Sequence, residues 1–253
     1  MVGVYFSGTG NTRNCVMEFI KHLDENGAAI AMEASDIHKS IAENDFIVFG
    51  YPIYFSNIPK FVRDFILENK SCFRNKKIFI ICTMGLFSGD GAGCSARIFN
   101  RCGANVIGGL HLKMPDCIGD EKILKKSLED NRRIIKQANK KIHLSAQRFK
   151  EGRPTQDGLS AFRRVAGLFG QRLWFYGKTA TYKNKPNINR QKCVGCGRCA
   201  ELCPLSNIVI ADGKAVAKGK CTMCYRCFSH CPEKALTILG HRVYEQCRFE
   251  NYQ

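Results

Sequence analysis

The sequence has no long apolar run and is poor in acidic residues and tryptophan. No stretch approaches the roughly 18 consecutive apolar residues that a membrane span requires. The first residues, MVGVYFSGTGN, contain neither a basic segment nor a cleavable apolar core. We therefore expect no secretory signal and a cytoplasmic protein. Disulfides are rare in that compartment, so the fifteen cysteines predict metal binding or redox chemistry.

The shortage of acidic residues leaves a formal net charge of +17, from 39 Lys and Arg against 22 Asp and Glu. More than half of this excess lies in residues 146–192, which carry eleven basic and two acidic side chains. A hydrophobic fraction of 45% is ordinary for a globular protein. The length of 253 residues allows one large domain or two smaller ones.

Eight cysteines form a sequence repeat between residues 193 and 232. Each half reads C-x2-C-x2-C-x3-C-P, and the second half follows the first by 28 residues. Such a fixed-period match predicts two copies of one structural unit. The spacing resembles that of bacterial-type ferredoxins, which hold two [4Fe-4S] clusters.

In this spacing, three cysteines of each run hold one cluster, and the fourth, before proline, closes the other cluster. We assign the first cluster to Cys193, Cys196, Cys199 and Cys231, and the second to Cys221, Cys224, Cys227 and Cys203. Zinc is an alternative, because C-x2-C pairs also form zinc ribbons, but it leaves half of the cysteines unexplained. A disulfide scaffold is a weaker alternative, since nothing indicates export.

The N-terminal half alternates strand patterns with helical patterns. Strands are predicted at 2–6, 28–33, 45–50, 77–83 and 105–112. Helices are predicted at 13–26, 59–69, 91–103 and 121–144. This alternation predicts an α/β fold with a doubly wound parallel sheet of five strands. A ligand of such a sheet lies beyond the carboxyl ends of the strands.

The loop Ser7–Thr12, S-G-T-G-N-T, joins the first strand to the first helix. Backbone N–H groups and hydroxyls in such a loop can bind phosphate. Because the loop lacks the P-loop lysine, a monophosphate fits better than a triphosphate. The segment F-S-G-T-G-N-T resembles the FMN phosphate loop of flavodoxins. The resemblance assigns FMN binding to Ser7, Thr9, Gly10, Asn11 and Thr12.

Two further loops follow strand ends, and flavodoxins use such loops to hold the flavin ring. The resemblance extends this role to Pro52, Ile53, Tyr54 and Phe55, and to Met84, Gly85, Phe87, Ser88, Gly89 and Asp90. Tyr54 and Phe55 can offer an aromatic face to a flat ring. A merely hydrophobic loop end is the alternative. Neither loop contains tryptophan, so the stacking aromatic stays open.

Residues 147–186 are predicted to form a basic connector. Apolar residues recur at helical spacing in 159–176, and we expect this face to pack between the domains. Contact with a membrane surface and binding of nucleic acid are alternatives. The division into an FMN-binding domain, a connector, an α+β ferredoxin domain and a tail corresponds to residues 1–146, 147–186, 187–240 and 241–253.

Taken together, the flavodoxin-like and ferredoxin-like parts resemble the flavodoxin–ferredoxin fusion proteins of anaerobes, and this resemblance leaves out the connector. The resemblance implies an electron-transfer protein with FMN and two [4Fe-4S] clusters, and it implies no separate catalytic residue. The basic surface favours an acidic redox partner such as a ferredoxin, and a small acceptor is a further possibility. The alternatives are an FMN-dependent reductase of a quinone or nitro compound, and a cluster-sensing module that binds nucleic acid.

Overall fold

A computed structural model of the protein describes residues 1–54, 57–86, 89–160 and 181–253. The predictions for Phe55, Phe87, Ser88 and most of the amphipathic stretch 159–176 therefore lie outside the described residues. Within the described ranges, no helix is both long enough and apolar enough to cross a bilayer.

The N-terminal region is a parallel five-stranded sheet flanked by helices. The strands are β1 Val2–Tyr5, β2 Ala28–Ala31, β3 Phe46–Pro52, β4 Lys77–Met84 and β5 Asn105–Lys113. The helices are α1 Asn11–Leu23, α2 Ile37–Ala42, α3 Lys60–Glu68, α4 Gly91–Arg101 and α5 Leu128–Lys150. The strand order β2-β1-β3-β4-β5 confirms the predicted flavodoxin-like doubly wound fold.

The central strands β3 and β4 are buried on both faces, which explains their continuous apolar sequences. Val48 and Phe79 point toward the layer that contains α1 and α5. Phe49 and Ile80 point toward the opposite layer, which contains α2, α3 and α4. Successive residues of a strand face opposite sides of the sheet, so both helical layers pack on one set of strands.

The structure differs from the sequence predictions at several places. Helix α5 begins at Leu128, not at the predicted 121, because the Ser127 side chain caps it by accepting a hydrogen bond from the amide of Asp130. It continues to Lys150, beyond the predicted end at 144, because Ile142 and Ala146 extend its buried face by one turn. The short helix α2 was not predicted. Gln156, which belongs to the predicted connector, pairs with Gly109 along the edge of β5. The basic segment after residue 146 therefore begins inside the N-terminal domain.

The C-terminal region is a small α+β domain, as the sequence predicts. Its elements are β6 Asn187–Ile188, α6 Arg198–Glu201, β7 Ile208–Ala211, β8 Lys214–Ala217, α7 Arg226–Ser229 and β9 Leu236–Thr237. β6 pairs with β9, and β7 pairs with β8, both in antiparallel orientation.

The 28-residue repeat extends to the backbone conformation. Left-handed φ angles recur at that spacing in Gly195 and Met223, Gly197 and Tyr225, and Ser206 and Lys234. This conformation is costly for residues other than glycine, so its recurrence at Met223 and Tyr225 shows that the fold imposes it.

Asp120, in the segment after β5, attaches the N-terminal domain to the C-terminal domain. Its carboxylate is 1% exposed and accepts hydrogen bonds from the Tyr225 hydroxyl (2.9 Å) and from the amides of Ile238 (2.6 Å) and Leu239 (2.9 Å). Arg226 makes a second attachment. Its guanidinium donates to the carbonyl oxygen of Ser7 at 2.8 Å and pairs with Glu33 at 2.5 Å.

The C-terminal tail returns to the N-terminal domain. The amides of Tyr244 and Glu245 donate to the carbonyl of Gly119, and the amide of Phe249 donates to the carbonyl of Thr9 at 2.8 Å. Phe249 and Tyr252 are buried in the layer of α1 and α5. The tail therefore joins the second domain to the loop that the sequence predicts to bind phosphate.

We expect Asp120→Ala to lower the free energy of unfolding by about 3 kcal/mol, because it leaves buried donors without an acceptor. Anaerobic denaturant titration, followed through tyrosine fluorescence and visible absorbance, measures the change. Asp45→Ala is the control, because the Asp45 side chain is fully exposed. Equal unfolding curves for the two variants would show that Asp120 does not attach the domains.

Candidate functional site

A cavity lies at the carboxyl ends of the parallel strands, where the fold places ligands. Three groups of lining residues belong to predicted loops: Ser7, Gly8, Thr9, Asn11 and Thr12; Pro52, Ile53 and Tyr54; Thr83, Met84 and Gly85. Two further groups are Met114–Ile118, after β5, and Met223–Tyr225, from the C-terminal domain. The cavity is therefore built by both domains.

The cavity brings together nine of the fifteen predicted FMN-binding residues: Ser7, Thr9, Asn11, Thr12, Pro52, Ile53, Tyr54, Met84 and Gly85. Gly10, Gly89 and Asp90 do not line it. Gly10 instead has a left-handed φ of 95° where α1 begins. Asp90 is fully buried and pairs with Arg97 at 2.9 Å, so its position is that of a structural residue.

The end of the cavity at Ser7–Thr12 has the chemistry of a phosphate site. Helix α1 starts there without a side-chain cap, which leaves its first amides available to an anion. The Ser7 hydroxyl is buried, and neither it nor Asn11 Oδ1 has a hydrogen-bond partner among the described residues. A buried hydroxyl without a partner is costly, and a phosphate oxygen would accept its hydrogen bond.

The other end of the cavity is mostly apolar, as a flavin ring requires. Met84, Met114 and Ile118 lie along it, and Tyr54 supplies an aromatic ring. Burial raises the pKa of the Tyr54 phenol well above its ordinary value, and the neighbouring thiols of Cys117, Cys224 and Cys221 raise it further. Tyr54 therefore stays neutral and lies close to the cysteines of the second cluster.

Asp116 is the only acidic residue that lines the cavity among those described. Its Oδ2 lies 2.4 Å from where a side chain on Gly85 would begin, and its Oδ1 accepts a hydrogen bond from the amide of Ile118. Burial raises the pKa of this carboxyl above its usual value. A side chain at position 85 would displace this carboxylate from its present position.

The backbone of the C-terminal domain lies directly against the loop Ser7–Thr12. A Cβ atom placed on Gly8 would lie 1.8 Å from the carbonyl oxygen of Cys224. No side chain fits in that space, so Gly8 is needed for the contact. Cys224 is a predicted cluster ligand, and it also lines the cavity. The predicted sites for FMN and for one cluster are therefore adjacent.

The first predicted ligand set surrounds a separate small cavity, lined by Cys193, Cys196, Cys199 and Cys231 together with Pro232. We call the cluster assigned to this set the distal cluster. Burial raises the pKa of the Cys199 thiol, and Cys231, Cys193 and Cys196 raise it further. Cys231 therefore lies with the three cysteines of the first run.

The second predicted set lies next to the flavin cavity, and we call its cluster the proximal cluster. Burial raises the pKa of the Cys227 thiol, and Cys224, Cys221 and Cys203 raise it further. Burial raises the pKa of Cys224 to about 12, with Cys221 and Cys203 again contributing. Cys203 thus lies with the cysteines of the second run. All four thiols must lose their protons when they bind iron.

Backbone amides donate to the predicted ligand sulfurs in a repeated pattern. The Asn207 amide donates to Cys203 Sγ at 3.2 Å, and the Ala235 amide, 28 residues later, donates to Cys231 Sγ at 3.4 Å. The Ala215 amide similarly holds the pKa of Cys193 below its usual value. Among the described residues, no group of three His, Cys, Asp or Glu side chains is arranged for a single metal ion.

Comparison with protein families identifies both domains. Residues 3–97 match the family described as a flavodoxin domain, and residues 185–232 match the family described as a 4Fe-4S dicluster domain. The first domain implies FMN, and the second implies two [4Fe-4S] clusters. No match was found among curated proteins.

Solved structures resemble the N-terminal part of the chain. The solution structure of two-electron reduced Megasphaera elsdenii flavodoxin is 20% identical, covers 58% of this chain and 99% of its own, and gives a TM-score of 0.42. Oxidised flavodoxin 2 from Bacillus cereus is also 20% identical, with 60% and 97% covered and a TM-score of 0.41. Rubredoxin oxygen:oxidoreductase from Desulfovibrio gigas is 15% identical, with 58% and 35% covered and a TM-score of 0.39.

The sequence analysis missed two groups of residues that line the cavity, and only one of them could have been recognised from the sequence. Met114–Ile118 follow the carboxyl end of β5, so the same rule that selected the other loops would have found them. Met223–Tyr225 belong to the cysteine repeat, and nothing in their spacing indicates a contact with residues over 200 positions away.

We expect Ser7→Ala and Thr9→Ala each to raise the Kd for FMN about tenfold or more, through loss of a hydrogen bond to a charged phosphate. Fluorescence titration of the FMN-depleted protein measures the affinity. Ser71→Ala, at an exposed position of the 3-10 helix Lys70–Phe73, should leave the Kd for FMN unchanged. The iron content should stay at the wild-type value in all three variants, and a loss of iron in Ser7→Ala would contradict this assignment.

Replacing one cysteine from each ligand set should give different results. Cys196→Ser should remove or alter the distal cluster and preserve FMN affinity, because Cys196 does not line the flavin cavity. Cys224→Ser should perturb the proximal cluster and also weaken FMN binding, because its loop forms a wall of that cavity. Iron, sulfide and FMN analysis after anaerobic purification tests this, with Cys72→Ser as control. Equal FMN loss in both variants would contradict it.

Proposed function

We propose that this iron–sulfur flavoprotein, a fusion of a flavodoxin domain with a 4Fe-4S dicluster domain, relays electrons between an external redox partner and FMN through its two clusters. Its matched domains already make it an electron-transfer protein. The proposal concerns the order of the centres: distal cluster, proximal cluster, then FMN.

One observation carries this order. Met223, Tyr225 and the predicted proximal ligand Cys224 between them line the cavity that also contains nine of the predicted FMN-binding residues. The distal ligand set lines a different cavity that shares no residue with the first. A covalent chain segment therefore connects the proximal site to the flavin site, whereas no residue of the distal ligand set lines the flavin cavity.

The chain's own residues fix this arrangement. When bound, each cluster exchanges single electrons, and FMN exchanges one or two, so the set can join one-electron and two-electron chemistry. Asp120 and Arg226 join the two domains through hydrogen bonds at Tyr225 and Ser7, close in sequence to the predicted proximal ligand Cys224 and to the loop Ser7–Thr12. Both bonds oppose a change in the relative orientation of the domains. Tyr225, 1% exposed, and Phe228, fully buried, exclude water around it.

The external partner that we propose is an acidic electron-carrying protein such as a ferredoxin, because the chain carries a large basic excess. A reductase of a quinone or nitro compound is a second candidate, which would need room for that molecule beside FMN. The nucleic-acid-binding alternative depends on residues 147–186, of which 161–180 lie outside the described residues. A reducing cytoplasm stays a prediction from the fifteen cysteines.

Anaerobically purified protein should contain about eight irons and one FMN. In stopped-flow experiments with a reduced acidic ferredoxin, we expect iron–sulfur absorbance to change before the FMN band bleaches. Cys196→Ser should slow FMN reduction by ferredoxin, whereas Cys72→Ser should not. FMN reduction at the wild-type rate without an intact distal cluster would refute the proposed order. The ferredoxin rate should also fall as salt is added.

A further inference from the structure

The two halves of the cysteine repeat share a backbone but differ in exposure. In the second half, Cys224 is 7% exposed and Ile238 is 3% exposed. Their equivalents 28 residues earlier are Cys196, which is exposed, and Ile210, which is 40% exposed. Val194, beside Cys196, is 61% exposed. The same structural face is therefore covered in one half and open in the other.

The flavodoxin domain is what covers this face in the second half. Tyr225 reaches Asp120, and Arg226 reaches Ser7 and Glu33. The equivalent of Tyr225 is Gly197, where an added Cβ would meet nothing within 4 Å. The equivalent of Arg226 is Arg198, which is exposed and forms no ion pair with a described residue. The repeat thus carries a second copy of the domain-binding arginine.

The open face has an apolar centre and belongs to a basic part of the sequence. Val194 and Ile210 line the distal cavity together with its four cysteines, so the apolar surface lies directly over the predicted cluster. Residues 185–220 contain seven Lys and Arg against two acidic residues. Glu233 also borders the cavity, and the adjacent Lys234 offsets its charge. This combination fits a protein with an acidic rim around its own electron-carrying centre.

We propose that the distal face, defined as Val194, Cys196, Gly197, Arg198 and Ile210, docks a small acidic iron–sulfur protein. Arg198 pairs there with a carboxylate of the partner, as Arg226 pairs with Glu33 inside the chain. The inference rests on the proposed function and names where its external partner binds. One electron leaves the reduced cluster of the partner and enters the distal cluster, and no proton or chemical group is transferred.

Binding is tested separately from electron transfer by biolayer interferometry between the fully loaded, oxidised protein and an oxidised acidic 2[4Fe-4S] ferredoxin. Arg198→Glu should raise the Kd about tenfold or more, because a charged hydrogen bond is lost and a repulsion is introduced. Arg198→Lys should recover part of the affinity. Val194→Asp, at an exposed apolar position, should weaken binding independently. Iron and FMN analysis of each variant establishes that it is correctly loaded.

Lys140→Glu provides the matched control, because it makes the same charge change on an exposed position of α5. It should leave the Kd within about twofold of wild type, since a distant exposed charge is screened by salt. Wild-type affinity in both Arg198→Glu and Val194→Asp would overturn the docking site, and so would an equal loss in Lys140→Glu. The proposed function is tested separately, by electron transfer. If the wild-type protein failed to reduce FMN through its clusters, the proposed function would be rejected, whatever the Kd values of the variants.

Discussion

The approach of the Cys224 backbone to Gly8 is the constraint on which the arrangement of the molecule depends. A carbonyl oxygen occupies the position that any side chain at residue 8 would need. The flavin site and the proximal cluster site can share a wall only because this residue is glycine. Asp120 adds buried hydrogen bonds between the two domains, and Arg226 adds a part-buried one to Ser7, so contacts within the fold hold the two sites next to each other.

The fold and the chemistry of each domain could be predicted from the sequence, but their junction could not. Apolar strand patterns, the loop Ser7–Thr12 and the cysteine spacing are local signals that report on residues near them in the chain. The hydrogen bonds of Asp120 to Ile238 and of Arg226 to Ser7 join residues over 100 positions apart. Nothing in composition or periodicity encodes such pairs. Asp90 shows the reverse case, since its position after a strand suggested a ligand contact and its partner is Arg97.

The internal repeat also shows how one structural unit can serve two purposes. The left-handed positions at Gly195 and Met223, and at Gly197 and Tyr225, have the same conformation with different side chains. In the second copy, large side chains fill the contact with the flavodoxin domain. In the first copy, small residues and an exposed arginine leave a surface. Sequence differences between the copies, placed on a shared backbone, therefore distinguish an internal interface from an external one.

The return of the tail to the start of the chain affects how the protein matures. Residues 7–12 leave the ribosome about 240 residues before Phe249, whose amide bonds to Thr9. At ordinary translation speeds this delay is on the order of tens of seconds. The parallel sheet can form early, whereas the cavity lacks one of its walls until Met223–Tyr225 have been synthesised. The flavodoxin domain must therefore exist for a time with an incomplete cofactor cavity.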